Sequence, residues 1–289
     1  MSGFPEFCWT WRRSQRWKHC RRAYYYYYYG SSGGHDEAAP RRVRELYLAK
    51  CSLSLPAYCR YVQSQVFRRR FYAPLDPESS AVMPDFFAEC FAFMRRDFEL
   101  FASGRGIPRR LVIDWINNDG PWGEVWELCE AELRRRCSDW ERATAALPAE
   151  IPHARRVFVA TPLRLQIGEL AAALAPLIAY RIPGKLMLLE NTGHSAGGKF
   201  ISTLGKFAAA QQWNLPPDAV KSGIFDPAGK VIELEDTDIS QAVREIRADV
   251  SEMTAALRAD GSAAEADFPG VDDGCESCPF IRHCRHRNS

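Results

Sequence analysis

The residues best placed for chemistry lie near the C-terminal end, in Cys275-Glu-Ser-Cys278-Pro-Phe-Ile-Arg-His-Cys284. Three cysteines in a Cys-x2-Cys-x5-Cys run are poor packing material but well spaced to ligate one metal centre. A tetrahedral thiolate site, zinc or iron–sulfur, takes a fourth ligand. No cysteine follows Cys284, so a fourth thiolate comes from far away in sequence. Cys20, in His19-Cys20-Arg21-Arg22-Ala23 before six consecutive tyrosines, is the expected ligand, and Cys8 is its closest rival. Cys8 lacks the basic and aromatic frame around Cys20. Structural zinc sites usually pair two Cys-x2-Cys knuckles, whereas ferredoxin-like clusters take irregular spacings, which favours an iron–sulfur centre over zinc. Either way the role is structural, because binding energy released on closing nearly the whole chain is folding energy.

Other motifs carry weaker signals. Gly193-His-Ser-Ala-Gly-Gly198-Lys199 fits the Gly-x4-Gly-Lys of a phosphate-cradling loop, between an expected strand and an expected helix. The next residue should be Ser or Thr for Mg2+ and is Phe200, so a glycine-rich strand-to-helix turn is the better reading. His194 and Ser195 are near neighbours in that turn and read as solvent-facing rather than as a hydrolase pair. Asp114, in Leu111-Val-Ile-Asp-Trp115, reads as a residue that caps or precedes a helix.

The elements that position these residues follow from periodicity. Residues 7–29 read as a short helix or extended arm closed by Gly30-Ser-Ser-Gly33-Gly34, with the tyrosines as a helix end packed on several sides. Residues 41–73 are helical and divided by Pro56, a proline-bearing break spans 73–84, and amphipathic helices fit 85–103 and 124–146. After Pro152 the period changes: Val157, Val159, Leu163, Leu165 and Ile167 alternate as a strand does. Segments 170–180 and 185–189 read as central strands around Arg181-Ile-Pro-Gly184. A helix over 196–213, a hairpin around Asp226-Pro-Ala-Gly229 and an amphipathic helix over 238–257 follow. Residues 259–274 read as a small-residue linker. The expected fold is α/β in one domain, with an N-terminal cysteine and aromatic arm (1–34), a helical region (41–147), a sheet core (155–258) and the linker with its cysteine cluster (259–289).

Composition bounds the function classes. The 289 residues are 46% apolar and 26% charged with a net charge of +2, values of an ordinary soluble protein. No apolar run is long enough to span a bilayer and the first residues lack the order of a signal peptide, so a cytoplasmic protein without membrane partners is expected. In a reducing compartment the clustered cysteines point to metal. The scattered Cys51, Cys59, Cys90, Cys129 and Cys137 read as buried thiols. Arginines cluster at 12–13, 21–22, 41–42, 68–70, 134–136 and 155–156. Most read as solvated helix faces balanced by acids. The N-terminal group, among Trp9, Trp11, Trp17 and the tyrosines, favours a nucleic-acid surface.

The run from Ser14 to Gly30, together with the C-terminal triple, resembles the RecB-like, AddB-like branch of the PD-(D/E)XK nuclease superfamily, CRISPR-associated RecB-like exonucleases included. The resemblance implies a restriction-endonuclease-like mixed sheet flanked by helices, with Cys20, Cys275, Cys278 and Cys284 holding a 4Fe–4S cluster. It also implies a place in DNA repair, recombination or phage defence, with DNA or a protein of such a complex as partner. Active members use two acids that hold Mg2+ or Mn2+ and a lysine two residues past the second acid. They add a histidine on an early helix and a Gln-x3-Tyr pair on the helix after the lysine. Here those positions fall on Leu177, Leu189, Asn191, Gln63, Thr203 and Phe207, in a register fixed by Thr192-Gly193. Leucine cannot ligate Mg2+, and Asn cannot supply the lysine's charge. The resemblance therefore implies no catalytic residue and a catalytically silent DNA-binding or scaffold protein. The alternative is an active metal-dependent DNA nuclease using displaced acids such as Glu169 or Glu190.

Overall fold

The computed structural model describes residues 8–72, 85–104, 108–117, 122–152, 155–159, 162–191, 198–226, 230–234, 238–271 and 274–284. The chain opens with β1 (Cys8–Trp9), α1 (Trp11–His19), α2 (Arg21–Tyr25) and a π-helical turn (Tyr26–Gly30). Next come α3 (Arg41–Cys51), β2 (Ser52–Leu53), α4 (Leu55–Tyr72), α5 (Phe86–Ala102), β3 (Leu111–Val112), α6 (Ile113–Asn117) and α7 (Trp122–Glu150). Strands β4 (Leu163–Ile167), β5 (Leu170–Leu174), β6 (Ile178–Ile182) and β7 (Lys185–Asn191) follow. The rest is α8 (Gly198–Gln212), β8 (Val220–Asp226), β9 (Lys230–Glu233), α9 (Ile239–Ala255) and short 3-10 turns. The chain is mixed α/β. Among the described residues no helix is long and apolar enough to cross a membrane.

The chain divides into two compact units, each assembled from three stretches that cut across the segments read from composition. One comprises the described residues within Met1–Trp11, Gln63–Phe86 and Cys137–Val250. Its larger sheet has the order β6-β7-β8-β9, with β6–β7 and β8–β9 antiparallel and β7–β8 parallel across the α8 crossover. Leu186, Met187, Leu188 and Leu189 are all buried, the continuous apolar run of a strand covered on both faces. Ile201, Leu204 and Ala208 of α8 and Ala242, Ile246 and Val250 of α9 join the same core. A smaller sheet, β1-β5-β4, follows period two: Leu163 and Leu165 point inward while Arg164 and Gln166 face solvent.

Two strand expectations are corrected here. The apolar run 170–180 is two strands in different sheets, separated at Ala175-Pro176-Leu177, because proline cannot donate to a central ladder. The run that begins at Val157 becomes a strand only at Leu163. Before that it contributes an isolated bridge, Arg156 to Tyr180, and a Val157 N–H bond to the Ala179 carbonyl. The break at 73–84 lies outside the described residues.

The other unit comprises the described residues within Arg12–Val62, Phe87–Arg136 and Ser251–Ser289. It is helical apart from the two-residue parallel pair β2–β3. Tyr58, Met94, Trp115, Cys129 and Leu133 are buried within it, and the Tyr58 hydroxyl donates to Asp97 Oδ2 at 2.9 Å. Pro56 sits in the first turn of α4, where a missing N–H costs nothing. Cys51, Cys59, Cys90, Cys129 and Cys137 are buried thiols outside any disulfide, as expected, and burial pushes Cys129 up to about 11.

Candidate metal centre

Cys20 is the N-cap of α2, in extended conformation (φ −158°, ψ 114°), and its Sγ accepts the Ala23 N–H at 3.4 Å. The C-terminal triple lies on two successive 3-10 turns, Cys275–Ser277 and Ile281–His283. The Cys278 N–H donates to the Cys275 carbonyl at 3.0 Å and the Cys284 N–H to the Ile281 carbonyl at 3.3 Å. Gly274 opens the first turn at φ +71°, a conformation that favours glycine, and a Cβ there would stand 2.7 Å from His19 Cε1, which would have to turn aside. These turns bring Cys20, Cys275, Cys278 and Cys284 to the wall of one small cavity of about 20 Å³, with Ala23, Tyr26 and Phe280 as its apolar lining. All four are free and half-buried. Cys8 is on β1 in the other unit and does not line this cavity.

The donor set suits a soft metal centre: four thiols and an apolar wall. Burial raises the Cys278 thiol, the Phe280 N–H opposes that, and the charges of Cys20, Cys275 and Cys284 add to it. Among the described residues no group of three or more His, Cys, Asp or Glu side chains meets the geometry of a closed metal-ion site.

What holds the two ends of this unit together is largely a segment expected to be a bare linker. That expectation is corrected. Phe268 is fully buried, its ring 5.4 Å from Tyr25, 5.9 Å from Tyr29 and 6.2 Å from both Tyr24 and Trp17. Arg22 donates through Nε to the Phe268 carbonyl (2.6 Å) and through Nη1 to Glu265 Oε1 (2.8 Å). Arg42 Nη2 reaches Glu265 Oε2 at 2.9 Å, and the Tyr26 hydroxyl donates to Oε1 at 2.7 Å. Phe280 packs on Tyr26 at 5.6 Å. The tyrosine run is thus a helix end packed on several sides, with Tyr24 and Tyr26 fully buried, and its last turn is widened into a π-helix.

Burial would raise the Glu265 carboxyl, but the Tyr26 hydroxyl, Arg42 and Arg22 outweigh it and hold the group below the usual carboxylate range. A carboxyl lowered on folding stabilises the native state at pH above its unfolded value, near 4.3, and that contribution fades as pH falls toward the folded value. Glu265→Gln should therefore cost about 1–2 kcal/mol at pH 7 after allowance for solvent screening. The difference in Tm from the parent should shrink steadily below about pH 4.5. A difference independent of pH between 7 and 3 would refute this account.

The positions matched to a nuclease active site lie in the sheet-bearing unit. Leu177 and Leu189 are both buried and adjacent, the Leu177 N–H donating to the Leu189 carbonyl at 2.7 Å. Gln63 is buried, with Nε2 3.7 Å from Cys137 Sγ, and Thr203 is buried on α8 with Phe207 one turn later. Glu190 and Asn191 are the last residues of β7, in register with Ile224 and Phe225 of β8. Glu169 is exposed in the turn between β4 and β5. Asp114 is in the first turn of α6, inside the helix rather than capping or preceding it. Thr192 and residues 193–197 of the glycine-rich loop lie outside the described residues. Phe200, at the position a Mg2+-binding hydroxyl would take, packs on Trp9 and Trp11 at 5.9 and 5.4 Å.

The arginine clusters divide as expected, with one correction. Arg134 pairs with Glu130 at 3.0 Å, Arg135 and Arg136 with Glu132, and Arg41 with Glu45 at 2.7 Å, which are balanced helix faces. Arg68 and Arg156 instead donate to the carbonyls of Val159 (2.8 Å) and Phe71 (2.6 Å). Part of the aromatic N-terminal group is withdrawn from solvent. Trp9 and Trp17 are buried, their indole N–H groups donating to Asp249 and Glu252 at 3.1 Å each. A scan of the chain against protein-family models finds no match, and a search of curated proteins finds no relative.

Proposed function

We propose that the chain is a catalytically silent, PD-(D/E)XK nuclease-like protein of the RecB-like, AddB-like branch. In this reading Cys20, Cys275, Cys278 and Cys284 hold a 4Fe–4S cluster, and the protein binds DNA or scaffolds a repair, recombination or defence complex in the cytoplasm. The observation that carries it is the meeting of four cysteines, one from near the start of the chain and three from near its end, around a single cavity. The cluster's contribution when bound is structural: it ties α2 to the C-terminal turns. The irregular Cys-x2-Cys-x5-Cys spacing and the apolar lining suit an iron–sulfur cluster, with zinc as the alternative. The β6–β7 pair, the α8 crossover and the parallel strand β8 support a restriction-endonuclease-like core. The silent reading rests on Leu177 and Leu189, two apolar side chains where two metal-holding carboxylates would stand side by side.

Anaerobically purified protein should be brown and contain about four irons per chain. Incubated with Mg2+ or Mn2+ and single- or double-stranded DNA, that protein should leave the DNA intact. Cleavage that disappears in Glu190→Ala or Glu169→Ala would replace the silent reading with an active nuclease using displaced acids.

A further inference from the structure

The tyrosine run that walls the cysteine cavity through Tyr26 offers its next ring, Tyr27, to a different environment. Arg12 and Arg16 stand one turn apart on α1 and share a face. Lys50 is in the last turn of α3, and the parallel pairing of Ser52 with Leu111 sets Arg110 alongside Cys51. The Arg16 guanidinium lies 3.6 Å over the Tyr27 ring, and Lys50 Nζ is 5.1 Å from the same ring. Arg110 stands close enough to the Tyr27 hydroxyl to act on its ionisation. Arg12 stands close enough for Arg110, Arg16 and Tyr27 all to act on its charge. All five residues retain solvent access. Among the described residues none of the four cations forms an ion pair with a carboxylate, in contrast to Arg134–Arg136.

Four like charges gathered without an acid repel one another. The faces of aromatic rings offset only part of that repulsion. We infer that Arg12, Arg16, Lys50 and Arg110 form, around the Tyr27 phenol, a binding site for a phosphoryl group. Guanidinium forks suit phosphate oxygens two at a time, and the phenol adds a neutral donor to a further oxygen. Burial raises the Tyr27 hydroxyl, yet Arg110, Arg16 and Lys50 together bring it below the usual tyrosine range, which makes it the stronger donor to an anion. This inference is independent of the iron and nuclease reading, since none of the five residues is a cysteine ligand or lies at a matched catalytic position. Free phosphate and the backbone of a nucleic-acid strand offer the same chemistry.

The test uses the full chain, with inorganic phosphate titrated at constant ionic strength made up with chloride. Phosphate should bind and raise Tm, and Arg16→Gln and Arg110→Gln should each weaken binding about tenfold or more. In phosphate-free buffer Arg110→Gln should melt no lower than the parent, because it removes repulsion rather than a bond to an acid. Lys50→Gln, at a half-exposed position, should weaken binding about threefold and keeps the test readable if Arg16→Gln does not fold. Unchanged binding in these variants, or an effect of phosphate no greater than that of chloride, overturns the inference. A 5′-phosphorylated single-stranded oligonucleotide then separates the sources. Competition with phosphate, lost in the same variants, assigns the site to a strand, whereas phosphate binding without competition assigns it to free phosphate or a phosphomonoester. Either result supports the site.

Discussion

Cys20→Ser and Cys278→Ser should each lose the bound iron and lower Tm by roughly 10 °C or more, while Cys8→Ser leaves both readouts unchanged. The expectation follows from geometry. Cys20 caps α2, Cys278 closes the first C-terminal turn and both line the same cavity, so either substitution removes part of its wall. Cys8 is on β1, in the other unit, and has no part in that wall. Ligand binding that exists only in the native state appears directly as folding stability, so losing it should cost more than losing one hydrogen bond. Iron and zinc analysis with thermal melting checks the result. Colourless parent protein with one zinc per chain would overturn the iron assignment and retain the four-cysteine site. Parent protein with neither metal would overturn both.

Phe268→Ala should destabilise the chain by about 3–5 kcal/mol, and Phe268→Leu by no more than about 1.5 kcal/mol. The ring is fully buried among Trp17, Tyr24, Tyr25 and Tyr29, and truncation leaves a void bordered by four rigid aromatics that cannot collapse into it. Phe268 does not line the cysteine cavity, so the folded variant should keep its metal at low temperature. Chemical denaturation with metal analysis on the same sample checks both halves. A cost below about 1 kcal/mol would mean that the aromatic cage does not hold the C-terminal segment.

The long amphipathic helices α5, α7 and α9 and the β8–β9 hairpin were legible because each buries a local, periodic pattern. The four cysteines were legible because their residue type and spacing carry chemistry regardless of neighbours. The two-residue strands were not. β1 pairs with β5 through Cys8–Ala171 and Trp9–Ala172, a contact between stretches far apart in sequence that no local period encodes. Pro176 did mark the break within 170–180, a signal outweighed by the apolar run around it. Glu265 and Phe268 were hidden among the alanines, aspartates and glycines of a linker-like stretch. Their partners, Arg22, Arg42, Tyr26 and the aromatic cage, lie more than two hundred residues earlier. Arg110 was likewise unremarkable in sequence, and only the β2–β3 pairing carries it to Tyr27.

The far separation of Cys20 from Cys284 also sets a timetable for biosynthesis. About 260 residues are added between them, which takes roughly 13–50 s at ordinary elongation rates. Through that interval the rings that will enclose Phe268 and the thiol of Cys20 have left the ribosome without their partners. The aromatic segment around Cys20 therefore waits for its partners until the last turns are made.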